Sequence, residues 1–207
     1  MRTHTKETQD ILTPEHALDI LKEGNLRFVN NIKTHRNLLQ QVNETSTGQF
    51  PFAAILSCID SRTSAELIFD QGLGDVFSIR IAGNILNEDI LGSMEFACKI
   101  AGSKLIVVLG HTKCGAIEGA CNNIVMGNIT GLLQKIKPAI EKETLTKENR
   151  TGENKLFVHN VTVNNVFVTA HKIKEQSSIL KELEEQGQIK IVGGLYDLDT
   201  GYVTFYE

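Results

Sequence analysis

The sequence predicts an α/β fold: a mostly parallel central β-sheet flanked by helices, with a helical N-terminal arm. Three observations predict it. The run Phe52-Ala53-Ala54-Ile55-Leu56-Ser57-Cys58 is apolar nearly throughout, as in a strand buried on both faces. Helix-length stretches separate it from similar runs, and strand–helix–strand alternation implies parallel pairing with right-handed crossovers. A length of 207 residues suits one such domain with an extension. Residues 1–50 read as the arm and residues 51–207 as the α/β domain.

Residues 14–33 read as a helix. Pro14 takes a first-turn position with Thr13 as N-cap. Ala17, Ile20, Leu21, Leu26 and Phe28 form a broken apolar stripe that Gly24 weakens. Residues 34–50 are polar and lead into the core domain. The first strand is followed by a short helix, Ser64 to Gln71, closed by Gly72-Leu73-Gly74. A second strand runs from Asp75 to Ala82, and a helix over 88–101 stops at Gly102. Lys104 to Leu109 is a third strand. Helices fill much of 115–142, and the charged stretch 143–154 reads as a surface loop. Residues 155–186 are helical with a break near Ser177-Ser178. Ile189 to Tyr196 is a fourth strand, and Tyr202 to Tyr206 pairs after a turn at Asp199-Thr200-Gly201.

Apolar content is ordinary for a globular chain, so a core of normal size is expected. A formal charge of −4 carries no basic footprint for nucleic acid or for an anionic membrane surface. The first ten residues are polar, without an apolar signal core, and no run approaches the length of a membrane span. The expected compartment is the cytoplasm, where Cys58, Cys98, Cys114 and Cys121 serve as metal ligands or buried thiols sooner than as disulfides.

Two stretches carry the chemistry: Ser57-Cys58-Ile59-Asp60-Ser61-Arg62 and Gly110-His111-Thr112-Lys113-Cys114-Gly115. Each pattern is weak by itself. Together, at two strand ends about fifty residues apart, they offer two thiols and an imidazole to Zn²⁺. In a parallel sheet the ligand site lies beyond the carboxyl ends of the strands, where Cys58, His111 and Cys114 converge. Three soft ligands leave a fourth position for water or for Asp60. An arginine can hold a carboxylate by two parallel hydrogen bonds. With Arg62 so engaged, Asp60 accepts a hydrogen bond from water at the open position. Released, Asp60 becomes the fourth ligand and closes the site.

Other readings compete. Cys58 could be a buried core thiol. Cys114, at a helix start, could be a redox or nucleophilic cysteine. Asp60 and Arg62 could be a surface pair of small consequence. For Cys98 and Cys121, inside amphipathic helices, the core reading prevails. His4, His16, His35, His159 and His171 have no ligand spacing to another Cys or His.

At these residues the chain resembles the β-class carbonic anhydrases. The likeness extends through Glu66-Leu67-Ile68-Phe69-Asp70-Gln71-Gly72-Leu73-Gly74-Asp75, Phe77, Arg80, Ala82-Gly83-Asn84, Gly92-Ser93-Met94-Glu95-Phe96-Ala97 and Val107 to Gly115. Gly24-Asn25-Leu26-Arg27-Phe28 is similar to the family's N-terminal arm. The resemblance covers about residues 15 to 207. It implies a carbonate dehydratase, a zinc lyase that interconverts carbon dioxide and bicarbonate. It implies zinc on Cys58, His111 and Cys114, and Asp60 and Arg62 as the catalytic pair. It implies a homodimer or higher homo-oligomer, because the family builds its clefts at a subunit interface. Gln49 matches a glutamine that reaches substrate from the neighbouring subunit, and Phe77 matches an aromatic wall. Ala82, Phe96 and Gly115 complete the implied substrate pocket. Phe96 stands where the family often has Tyr, Ala82 where it often has Val, and the chain has no Trp for a non-catalytic bicarbonate pocket.

Two thiolates offset the charge of the metal, so a somewhat raised water pKa and a rate that rises with pH are expected. The same scaffold could hydrolyse carbonyl sulfide or carbon disulfide. A non-catalytic zinc or thiol interaction protein is the alternative of a different class.

Overall fold

A computed structural model describes residues 3–207; residues 1 and 2, the start of the expected arm, lie outside it. The helices are α1 (Lys6–Asp10), α2 (Pro14–Val29), α3 (Leu38–Thr45), α4 (Ala65–Ile68), α5 (Glu88–Glu95), α6 (Gly115–Cys121), α7 (Gly127–Gln134), α8 (Lys137–Lys142), α9 (Lys155–Gln176) and α10 (Ser178–Glu185). The strands are β1 (Ala53–Ser57), β2 (Val76–Arg80), β3 (Leu105–His111), β4 (Lys190–Tyr196) and β5 (Val203–Tyr206). They form one sheet in the order β2-β1-β3-β4-β5. β1, β2, β3 and β4 are parallel, and β5 returns antiparallel to β4.

Every residue of β1 and β3 is buried, because helices cover both faces. Side chains alternate across the sheet. Ala54, Leu56, Ile106 and Val108 pack with Met94 of α5, Val166 and Ile173 of α9, and Leu180 and Leu183 of α10. Ala53, Ile55, Leu105 and Val107 pack with Ala17, Leu18 and Leu21 of α2 and Ile68 of α4. Cys98 is buried in the first of these clusters, and Cys121 in a third with Ile117, Leu133 and Phe157, as their helix positions predict. Burial alone pushes the Cys98 thiol up to about 12.

The expected elements stand with shifted ends. Thr13 caps α2, but the helix stops at Val29; Asn31 then takes a left-handed φ of 54°, which Asn tolerates. The polar stretch 34–50 contains a helix of its own, α3. Asn37 caps it by accepting from the Gln40 N–H, and buried Gln41 accepts from the Leu73 N–H. The helix over 88–101 changes to a π-helical turn at Phe96–Ile100 before Gly102. Gly24, a weakness in the helix pattern, is required by packing: a Cβ there would lie 1.9 Å from the Phe69 carbonyl oxygen.

Asp70 ties the segment after α2 to the end of α4. Its carboxylate accepts from Arg27 Nε (2.6 Å), Arg36 Nη1 (2.5 Å), the Thr34 N–H (3.1 Å) and the Thr34 hydroxyl (2.9 Å). Burial disfavours its charge, but these donors outweigh it and hold the carboxyl down at about 2. Among the described residues no helix is long and apolar enough to cross a membrane.

Candidate metal centre

β1 has β2 on one side and β3 on the other, so the chain changes winding direction between β1 and β3. A crevice opens beyond the carboxyl ends at such a switch point. Cys58 follows the last residue of β1, and His111 is the last residue of β3. Lys113 takes a left-handed φ of 56° and turns the chain so that Cys114 precedes α6 facing Cys58. The ligand atoms of Cys58, His111 and Cys114 lie within 4.8 Å of one another, and all three residues are buried. Among the described residues this is the one group of three such side chains so arranged.

The residues fit a tetrahedral metal. The two Sγ atoms are 3.9 Å apart. Two Zn–S bonds of about 2.3 Å at a tetrahedral angle span about 3.8 Å. His111 Nδ1 lies 2.9 Å from the Thr112 carbonyl oxygen, which can only accept, so the proton sits on Nδ1. Nε2 is thereby left with a free lone pair, buried and without a hydrogen-bond partner. Fixing one ring nitrogen so that the other can ligate is the usual arrangement of a metal-binding histidine.

The two thiols hydrogen-bond to each other. The Cys58 thiol is held well below its ordinary value, first by the hydrogen bond from Cys114; burial opposes the shift, and His111 and the Gly83 N–H add to it. Cys114 is pushed up by the same bond and by burial. Without a cation between them, one thiol keeps its proton and lends it to the other. A divalent cation removes that constraint, because both sulfurs then bind as thiolates. Gly83 N donates to Cys58 Sγ over 3.3 Å.

Asp60 and Arg62 form a bidentate pair. Arg62 Nε donates to Asp60 Oδ1 (2.9 Å) and Nη2 to Oδ2 (2.7 Å), and the Arg62 N–H adds a third bond to Oδ1 (3.0 Å). These bonds, the side-chain pair first, hold the Asp60 carboxyl well below the ordinary carboxylate range. Asp60 is thus an acceptor-only group beside the three ligands, with both oxygens on Arg62. It does not join the group of three.

Two residues without an assigned role in the sequence anchor this turn. Arg80 Nε donates to the Cys58 carbonyl (3.0 Å) and Nη2 to the Asp60 carbonyl (2.5 Å). The Thr63 hydroxyl lies 3.1 and 2.9 Å from the same two carbonyl oxygens. Bonds to backbone oxygens leave no residue-type signature, so spacing could not reveal them.

Of the expected pocket residues, Ala82 and Gly115 border the ligands. Ala82 opens the turn Ala82–Asn84 that carries the Gly83 donor, and Gly115 follows Cys114 with open space at its Cβ position. The other three lie elsewhere in the chain. Phe77 pairs with Ala54, four residues down β1 from Cys58, or ~13 Å at about 3.3 Å per residue. Phe77 and Phe96 meet edge to face at 6.5 Å and line a groove of about 790 Å³ along β2 and α5. Gln49 is exposed and precedes β1, at the end of the strand away from Cys58.

A protein-family model described as carbonic anhydrase matches residues 53–203. Carbonic anhydrase 2 of Mycobacterium tuberculosis (strain ATCC 25618 / H37Rv) is 37% identical over 191 residues, covering 91% of this chain and 90% of its own. The carbonic anhydrase of Mycolicibacterium smegmatis is 32% identical over 192 residues, covering 92% of each. In three dimensions the chain is similar to the crystal structure of the β-carbonic anhydrase CafA of Aspergillus fumigatus, with a TM-score of 0.72 and 25% identity over 93% of this chain and 90% of that one.

Proposed function

The chain belongs to the β-class carbonic anhydrase family, and on that premise we propose that it catalyses the reversible hydration of carbon dioxide to bicarbonate and a proton, with zinc as cofactor. One observation carries the reading: a carboxylate clamped by an arginine beside a buried Cys–His–Cys group. Cys58 Sγ, Cys114 Sγ and His111 Nε2 would hold the metal. Zinc held there would supply Lewis acidity that activates water near neutral pH.

The remaining work falls to side chains. Arg62 occupies both oxygens of Asp60 and keeps the carboxylate from becoming a fourth ligand. Asp60, ionised throughout the neutral range, accepts a hydrogen bond from the attacking water and orients its lone pair toward the carbon. Ala82 is a small apolar wall suited to an uncharged linear substrate. Gln49 donates to the developing carboxylate oxygen, and Phe77 and Phe96 supply the apolar wall, each across the boundary between two copies of the chain. The distance of these three from the ligands within one chain supports a site completed in a homodimer or larger homo-oligomer. Residues 1–50 act as the arm of that assembly and residues 51–207 as the catalytic domain. Thiolate ligands require reduced cysteines, which suits the cytoplasm.

The test is stopped-flow hydration of carbon dioxide by the zinc-loaded protein from pH 6 to 9. The rate should exceed that of buffer and rise with pH; no rate above buffer at full zinc content overturns the assignment. Asp60→Asn should lower kcat/KM by about 10²- to 10³-fold with zinc still near one per chain. Loss of metal instead would make Asp60 a ligand.

A further inference from the structure

The Cys58 sulfur is held by a chain of contacts that begins on α9, far from either sequence motif. Asn165, 2% exposed, donates from Nδ2 to the Gly83 carbonyl over 2.8 Å. Gly83 in turn donates its N–H to Cys58 Sγ over 3.3 Å. Gly83 sits at φ 68°, a left-handed conformation that glycine adopts without cost, and a Cβ there would press on Ile136 (3.0 Å) and Ala116 (3.3 Å). Gly83 is therefore gripped by Asn165 at its carbonyl, in the peptide unit after its Cα, and spends its N–H, in the peptide unit before, as a donor to sulfur. The neighbouring Asn84 carbonyl takes a longer contact, 3.4 Å, from the Thr169 hydroxyl one helical turn along α9.

We propose that Asn165 is a positioning residue for the metal centre: by holding the Gly83 carbonyl it fixes the left-handed Gly83 backbone that aims the Gly83 N–H at the Cys58 sulfur, and so weakens that sulfur's donation to the metal. The inference rests on the zinc reading above and deepens it. A hydrogen bond to a ligating sulfur draws electron density from it, and the potentials of sulfur-ligated metals are tuned in this way. With two thiolates in the ligand set, any reduction in donated charge restores Lewis acidity that an all-sulfur environment would blunt. Asn165 touches neither substrate nor metal, and its effect must pass through Gly83. An aliphatic residue would serve packing on α9 equally well; a buried amide aimed at a carbonyl serves the turn.

The test uses the cobalt(II)-loaded full chain. Wild-type protein should show a sulfur-to-cobalt charge-transfer band. In Asn165→Leu the Gly83 carbonyl loses its hold, the N–H drifts from the sulfur, and the band moves to longer wavelength because the unbonded sulfur donates more readily. Asn165→Gln, which keeps an amide donor, should lie between the two, and Asn165→Ala replaces the Leu variant should that fail to fold. A band unmoved in a folded donor-less variant overturns the proposal, even if metal is lost faster, because that would be a packing effect. Absence of the band in wild-type protein would overturn the metal reading itself, a result distinct from an unmoved band.

Discussion

The carboxyl end of β1 and β3 and the outer edge of β2 lie on the same sheet but reach different degrees of completion. At the first, each group has a partner or a purpose. His111 is oriented by Thr112, Cys58 receives the Gly83 N–H, Asp60 is doubly bonded to Arg62, and Arg80 and Thr63 secure the turn beneath. At the second, β2 has a strand neighbour on one side only. Phe96 is 54% exposed, and Phe77, Ile79, Ile90 and Phe96 line an open groove. A groove that leaves an aromatic pair uncovered on an edge strand is a candidate contact surface. The Cys–His–Cys end is held by one chain's own hydrogen bonds, whereas the groove leaves its aromatic pair uncovered within one chain.

The most severe way to break the comparison is to remove a ligand. Cys114→Ser should leave below about a tenth of a zinc per chain and cut the hydration rate by at least about 10³-fold, read by metal analysis and stopped flow. A variant that kept its zinc would show that the metal end is not the self-contained unit described. Next in size is the groove. Phe96→Glu places a charge on a half-exposed position, which a lone chain tolerates and an apolar interface does not. The variant should sediment as a smaller species than wild type and lose about tenfold in kcat/KM while retaining zinc. Wild-type sedimentation together with a wild-type rate would mean that no second copy completes the groove.

The smallest effect concerns the anchor of the segment that leads to Gln49. Asp70 has its carboxyl held at about 2 in the fold against an ordinary 3.8. A depressed carboxyl stabilises the fold above its unfolded value and loses that contribution as pH falls through the folded value. The difference amounts to about 2 kcal/mol. Urea denaturation of the zinc-free chain should therefore show wild type losing about 2 kcal/mol more than Asp70→Asn between pH 4 and pH 2. Parallel curves for the two proteins would dismiss Asp70 as the anchor.

Legibility in the sequence follows the same division. Cys58, His111 and Cys114 were readable because each sits at or just beyond a strand end, and strand ends in a parallel sheet meet at one edge. Asp60 and Arg62 were readable because they are two residues apart, within reach of each other whatever surrounds them. α3 was not readable as a helix: its buried contact is made by polar Gln41, while Leu38, Leu39 and Val42 remain exposed. Arg80, Thr63 and Asn165 were invisible as functional residues because they act on carbonyl oxygens, which every residue has.

By itself the sequence determined the parallel α/β class and the strand ends at which Cys58, His111 and Cys114 lie. Apolar runs and local spacing are properties of contiguous residues, and they survive without coordinates. Only the tertiary structure decided that Arg62 holds Asp60 off the ligand group, that Asn165 reaches Gly83, and that Gln49, Phe77 and Phe96 stand apart from the ligands within one chain. Each of these depends on a dihedral choice or on contacts between distant segments, which burial and hydrogen bonding select only once the whole chain has packed.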